Sequence, residues 1–229
     1  MIIIKLEDLK LIKGYSKGFR FKETELGVFN TKETLPLVEK FKKTGRVLGL
    51  TNGAFSLIDI IHILLKEIGK GDVVCATWSA GIKDVNQVKW LLNENMVNSF
   101  ILLTDRSYVT RQHKYAMAIV DLFGEENIRT SIMHAKFVLL KIGDRKISIR
   151  SSMNLNNNRT CELFEIEESA EIFDFLNDYV KSQFDYNIET ADPNFKQINR
   201  NMKRYFEEKA EKEGVKTNND IKETKKWYE

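Results

Sequence analysis

Three short apolar runs, RVLGL (46–50), DVVCATW (72–78) and SFILLTD (99–105), are separated by stretches of helical character. Runs of this length, rich in Val, Ile, Leu and Phe and bounded by turn residues, are typical of strands buried on both faces. Between the first two, residues 55–68 are apolar almost throughout and read as a buried helix. Between the second and third, residues 82–95 read as an amphipathic helix with Val85, Val88, Leu91 and Leu92 on one stripe. Alternation of this kind predicts an α/β fold with a mixed, largely parallel sheet flanked by helices. A helix over 108–123 is expected to end at Gly124, with a late hairpin after it and further helices near 168–187 and 194–213. In such sheets ligands collect beyond the carboxyl ends of the strands.

The pattern divides the chain into three. Residues 1–46 read as a basic N-terminal segment with short strands at 2–5, 19–22 and 26–29 and a small helix near 33–43. Residues 47–187 read as the catalytic domain, and 188–229 as a charged, helical C-terminal tail. Net charge is +3 over 229 residues, unevenly spread. Residues 1–46 carry +5 and residues 195–229 carry +3, against −5 for 47–194. Basic flanks suit a polyanion held near the site, although for the C-terminal tail a solvated charged surface is the simpler reading. The sequence holds no apolar stretch of about 18 residues, as a membrane span requires. Its start, MIIIKLEDLK, has only three isoleucines after Met1 before charges begin, too few for a signal peptide. Two cysteines, Cys75 in a buried run and Cys161, fit a reducing compartment. The expectation is a cytoplasmic protein without a membrane partner.

The chemistry is concentrated in SIMHAKFVLLKIGDRKISIRSSMNLNNNRTCE, residues 131–162. His134 and Lys136 stand two apart before an apolar run. After the turn at Gly143-Asp144-Arg145 a second run ends in Ser152 and Asn154, also two apart, with Glu162 following. Residues two apart on a strand share a face, so His134, Lys136, Ser152 and Asn154 are expected on one surface of a hairpin. If the hairpin is centred on Asp144, Lys136 faces Ser152 and His134 faces Asn154. A slip of half a step then mixes polar with apolar faces, which a sheet with one buried face resists. The other face would carry Ala135, Phe137, Leu139, Ile147, Ile149 and Ser151. An imidazole beside an ammonium, a hydroxyl and an amide suits a phosphate ester.

This arrangement resembles the phospholipase D superfamily, whose pattern is H-x-K-x-x-x-x-D, then G-S-x-N and a later Glu. His134 and Lys136 match the first two letters, Ser151-Ser152-Met153-Asn154 the second half with Ser for Gly, and Glu162 the later acid. Two features depart from the pattern. Lys141 occupies the Asp position, with Asp144 the nearest acid, and the two half-motifs stand further apart than usual. The resemblance is strongest over 131–165 and extends by element order over 47–186. It implies a phospholipase D-like fold and a metal-independent phosphodiesterase without a cofactor. His134 would attack phosphorus to form a phosphohistidine. Lys136 and Asn154 would hold the non-bridging oxygens, and Glu162 would orient or tune His134. In that family two copies of the motif meet, and this chain has one. The implied assembly is a homodimer with its site on the two-fold axis.

Other residues join the candidate set through the strand ends. Thr51 and Asn52 close the first core strand before Gly53, where a helix N-terminus makes a phosphate neighbour. Any strand-to-helix turn looks the same. Trp78 and Ser79 end the next strand and would line the pocket, Trp78 as a stacking element or simply as core. Arg159 would pair a phosphate oxygen or Glu162. His62, in IIHILL, reads as a core residue and His113 as a helix-surface residue, and neither has Lys two residues on. No zinc-like Cys/His spacing and no P-loop glycine pattern appears. The E-x-K of a metal-dependent nuclease would need a strand, and Glu207-Glu208-Lys209 falls in the helical tail. The main reading is a nuclease, with DNA ahead of RNA as partner. The alternatives are a catalytically weak or inactive nucleic-acid-binding protein of the same fold, and a small-molecule or lipid phosphodiesterase.

Overall fold

The structure, a computed structural model, describes residues 24–29, 34–107, 122–156 and 160–185. The expected strands at 2–5 and 19–22, most of the helix at 108–123, the helix at 194–213 and Arg159 lie outside those residues.

Eight strands form one mixed sheet: β1 (Glu25–Phe29), β2 (Arg46–Asn52), β3 (Gly71–Thr77), β4 (Val97–Asp105), β5 (Ile128–Ser131), β6 (Phe137–Ile142), β7 (Arg145–Ser151) and β8 (Cys161–Glu168). Their order across the sheet is β1-β2-β8-β7-β6-β3-β4-β5. Three pairings are parallel and four antiparallel, so six strands run one way and only β6 and β8 oppose them. This is the α/β architecture the strand-helix alternation predicts. The runs at 46, 72 and 99 became β2, β3 and β4.

Helices cover both faces. On one lie α1 (Leu35–Thr44), α2 (Leu57–Ile68) and α3 (Ile82–Asn93). α1 carries Pro at its first turn and ends at Gly45 in the left-handed conformation. These three helices bury Leu37, Phe41, Ile58, Ile61, Leu64, Val88 and Leu91 against Val47, Val73, Leu102, Val138, Ile149, Phe164 and Ile166. On the other face α4 (Ala170–Asp185) lays Phe173 and Val180 over Ala76, Leu103, Phe137 and Leu139. β1 and α1 belong to this sheet and this core, with β1 paired along β2 from Glu25↔Val47 to Phe29↔Thr51.

β8 was not foreseen. Its sequence, CELFEIEE, alternates Phe164 and Ile166 inward with Glu165 and Glu167 on the opposite face. Phe164 packs between Phe29 and Phe55, at ring-centroid separations of 5.7 and 5.8 Å. The ring occupies the space a side chain on Gly49 would need, since a Cβ there would stand 2.3 Å from it. A residue without a side chain at position 49 is therefore what lets β8 seat beside β2.

The hairpin register differs from the expectation. Gly143 and Asp144 form a two-residue turn with Gly143 at φ 57°, and Ile142 pairs Arg145, Leu140 pairs Ile147 and Phe137 pairs Arg150. This is the half-step slip the one-buried-face argument rejected. The argument fails because the sheet is covered on both sides. Val138, Leu140, Ile147 and Ile149 face α1–α3, whereas Phe137 and Leu139 face α4. Ile147 and Ile149 therefore do not share a face with Phe137 and Leu139. The polar side of β7, Lys146 and Arg150, finds its partners in Asp174, Glu165 and Glu167.

Candidate functional site

All the strand ends that matter lie at one end of the sheet: the carboxyl ends of β2, β3, β4, β5 and β7 and the starts of β6 and β8. The site is built there from loops, not from the face of a hairpin. β6 begins at Phe137, so His134 and Lys136 precede it. β7 ends at Ser151, so Ser152 and Asn154 follow it. The expected cross-strand pairs Lys136 with Ser152 and His134 with Asn154 are accordingly absent, and the backbone N–H of Ser151 donates to the carbonyl of Lys136 at 3.1 Å.

His134 is exposed and Lys136 partly so. The Lys136 ammonium donates to the His134 carbonyl at 3.0 Å and lies 3.3 Å from His134 Nδ1. Burial holds the Lys136 ammonium below the ordinary lysine value, and the Glu162 carboxylate works against that shift. Glu162 opens β8, opposite Thr51. Its carboxylate accepts hydrogen bonds from the Ser152 hydroxyl and from Thr160 Oγ1, the latter at 3.0 Å. Ser152 Oγ in turn accepts from the Leu163 amide at 3.0 Å. Cation, imidazole, hydroxyl and carboxylate thus come together from segments 134–136, 152 and 160–162.

Two supports fix this cluster, and sequence reading missed both. Asp105, at the end of β4, is buried and accepts from the Met133 amide at 3.1 Å, which anchors the loop immediately before His134. The same carboxylate holds the Ser107 amide at 2.9 Å. Thr77, at the end of β3 and fully buried, accepts from the Leu155 amide at 3.0 Å and donates to the Ser79 carbonyl at 2.8 Å. Together with the Gly81 amide on the Leu155 carbonyl at 2.7 Å, this stitches loop 153–156 onto loop 77–81. A polar residue at the last position of a buried strand was the available signal in both cases.

The remaining candidates fall as follows. Trp78 is half-buried, with its ring centroid 5.4 Å from that of His134, so it does line the site. Ser79 is nearly buried, and its hydroxyl accepts from Asn156 Nδ2 at 3.4 Å. Asn154 is partly buried, and its Oδ1 is buried without a hydrogen-bond partner. Thr51 is fully buried, and its hydroxyl accepts from the Ala54 amide at 3.1 Å. Asn52 is exposed at the end of β2, opposite Cys161. The N-terminus of α2 already has an anion: the Asp59 carboxylate accepts from the Ser56 amide and hydroxyl, each at 2.8 Å. Lys141 sits at the far end of β6, five strand residues or roughly 17 Å from Lys136. It faces Asp72 and Lys146 across the sheet. Cys75 is buried in β3, which pushes its thiol up to about 12, and it packs in the core. His62 packs edge-on against Trp90 at 5.1 Å, between α2 and α3. Among the described residues no three His, Cys, Asp or Glu side chains converge as a metal site would require, and no helix is long and apolar enough to cross a membrane.

The fold and the site define an α/β protein with a polar cluster at the shared end of a mixed eight-stranded sheet. No protein-family model and no curated protein matches the chain. Among solved structures the chain is similar to a phospholipase D family member, Nuc from Salmonella typhimurium, at a TM-score of 0.43 and 11% sequence identity. The match covers 61% of this chain and 93% of that one.

Proposed function

We propose that the chain is a phospholipase D-like phosphodiesterase acting on nucleic acid, DNA ahead of RNA, without a metal ion. The observation that carries this reading is the contact of Lys136 with His134 at the end of the sheet, with Glu162 close enough to act on the ammonium.

The chemistry follows from these groups. A phosphodiester resists attack because its non-bridging oxygens are already anionic. Lys136 meets that charge with a full positive charge, and the Asn154 amide adds a donor. A neutral His134 ring nitrogen bonds to phosphorus as the bond to the leaving oxygen breaks. That oxygen needs a proton from a second acid. In the second step water attacks phosphorus, gives its proton to the same group, and the N–P bond breaks to release the monoester. This chain has one His-Lys pair, so the second acid is His134 of another copy and the working form is a homodimer. Ser152 and Thr160 hold Glu162, which positions and tunes the cationic pair. Arg159 is assigned to the same polar loop as a phosphate contact. Position 141 lies too far along β6 to touch the phosphate, so a lysine there leaves the chemical groups of the site in place. Trp78 and Ser79 form the wall beside His134, and Asn52 and the Thr51 turn its far rim. The catalytic residues of this reading fall within 47–187, on a sheet and core that also take in β1 and α1, in the cytoplasm.

The test is cleavage of labelled single- and double-stranded DNA and RNA with excess EDTA present. Activity is expected to persist under chelation. Loss on chelation with recovery in Mg²⁺ or Mn²⁺ would place the protein in another mechanistic class. Hybrids of wild-type and His134→Ala chains are expected to be nearly inactive, because they hold no complete pair. Half the wild-type rate would show that each chain works alone. Salt-sensitive binding without cleavage would favour the non-catalytic alternative.

A further inference from the structure

Resting on that reading, we infer that Asn156, with Ser79 behind it and Trp78 beside it, forms a base-reading subsite that selects unpaired nucleotides. Asn156 lies outside the residues the motif singles out. It stands two positions beyond Asn154 on the loop stitched to 77–81, with Leu155 between them fully buried. Its Nδ2 donates to Ser79 Oγ at 3.4 Å, which fixes the plane of the amide. That leaves Asn156 Oδ1 buried with no partner, as is Asn154 Oδ1. A buried acceptor without a donor is costly, and native proteins tolerate few of them. Two such oxygens beside a reactive centre mark a place where a ligand brings the donors.

Trp78, the residue before Ser79, offers a flat apolar surface. The Trp78 ring lies against His134, so a phosphorus atom at His134 places one ester arm beside the indole. An arm that offers both N–H donors and a stacking face is a nucleobase. A diacylglycerol arm has no donor and would leave both oxygens unpaired. In a duplex the bases are stacked, and the donors on their pairing edges are used. A site made of an indole and amide oxygens therefore reads a base that is already unpaired or splayed out.

The experiment measures binding by fluorescence anisotropy, in EDTA, with the full chain carrying His134→Asn so that nothing is cleaved. The probes are a single-stranded oligonucleotide, an abasic oligonucleotide of the same length and charge, and the duplex of the same sequence. The base-bearing single strand is expected to bind about tenfold more tightly than the abasic strand, and more tightly than the duplex. Adding Asn156→Ala is expected to shrink that ratio at least fivefold. Ser79→Ala, which only frees the amide plane, is expected to shrink it less, and each variant is checked for an unchanged melting temperature. If Asn156→Ala melts early, Ser79→Ala alone decides. Equal binding of base-bearing and abasic strands overturns the inference and leaves the nuclease reading standing. No salt-sensitive binding of any strand overturns both.

Discussion

The sheet carries two polar regions treated in opposite ways, one across β2, β8 and β7 and one at the end where β6 begins. On the α4 face, Arg46 and Arg150 alternate with Glu165 and Glu167 across β2, β8 and β7, at separations from 2.5 to 3.9 Å. Nearby, Arg145 grips Glu168 through two hydrogen bonds at 3.0 and 2.7 Å and Lys146 meets Asp174 at 2.7 Å. Apart from Arg150 Nε, this ladder pairs its charges within the chain. A few residues further along the same hairpin, an ammonium sits beside an imidazole and two amide oxygens are buried without donors. The ladder satisfies nearly all of its polar groups internally, whereas the loop after Ser152 leaves two buried acceptors without a donor.

That contrast can be broken at either end. The largest effect is expected at His134. His134→Ala is expected to abolish phosphodiester cleavage, with a melting temperature close to wild type because the side chain is exposed. Wild-type turnover in the purified variant would remove the nucleophile assignment. Next comes Lys136→Ala, expected to lose about 2–4 kcal/mol of transition-state stabilisation, read from kcat/KM. An unchanged kcat/KM would show that phosphate charge is met by another group.

The ladder should respond in the other currency. Arg46 lies at the far end of β2 from the site, so Arg46→Ala is expected to leave kcat/KM intact while costing about 1–2 kcal/mol of stability. In a chain of this size that corresponds to a fall of roughly 3–6 °C in melting temperature. A loss of activity without a loss of stability would mean that the two regions are coupled through β8.

The smallest effect concerns pH. Lys136 must carry its charge to hold the phosphate, and burial keeps its ammonium below the ordinary lysine value while Glu162 pushes the other way. The alkaline decline in activity should therefore set in below that ordinary value. Glu162→Gln removes the carboxylate that favours the charged form, so the decline should move to lower pH. An unmoved or raised alkaline limb in that variant would sever the link between the two residues.

Much of the fold was legible because β2, β3 and β4 read as short apolar runs, with β3 buried along most of its length, and helices lie between them on the proper stripe. β8 escaped because Glu165 and Glu167 resemble loop residues until the arginines that pair them are known, and those lie on β2 and β7. The hairpin register escaped for a related reason. A one-face argument fails when α1–α3 and α4 cover both sides. At the site, His134, Lys136, Ser152 and Glu162 were legible as a group from residue type and order. Asp105, Thr77 and Asn156 were not. Each acts across a gap of at least 28 residues, and the one local signal, a polar residue closing a buried strand at Asp105 and Thr77, does not say what it will hold.

The position of β8 also bears on the order in which the molecule comes into being. The last strand among the described residues is neither an edge nor an appendage, since it seats between β2 and β7. Arg46 meets Glu165 across 119 residues of chain. While a chain is emerging, β1 and β2 have no way to join β7, β6, β3, β4 and β5, and the two parts of the sheet wait with facing open edges. Such a chain already bears His134 and Lys136 but lacks Glu162, the first turn of strand that brings the carboxylate to them. Sealing the sheet and completing the charge balance at its end are one event, so a half-made molecule carries the cationic pair without the partner that tunes it.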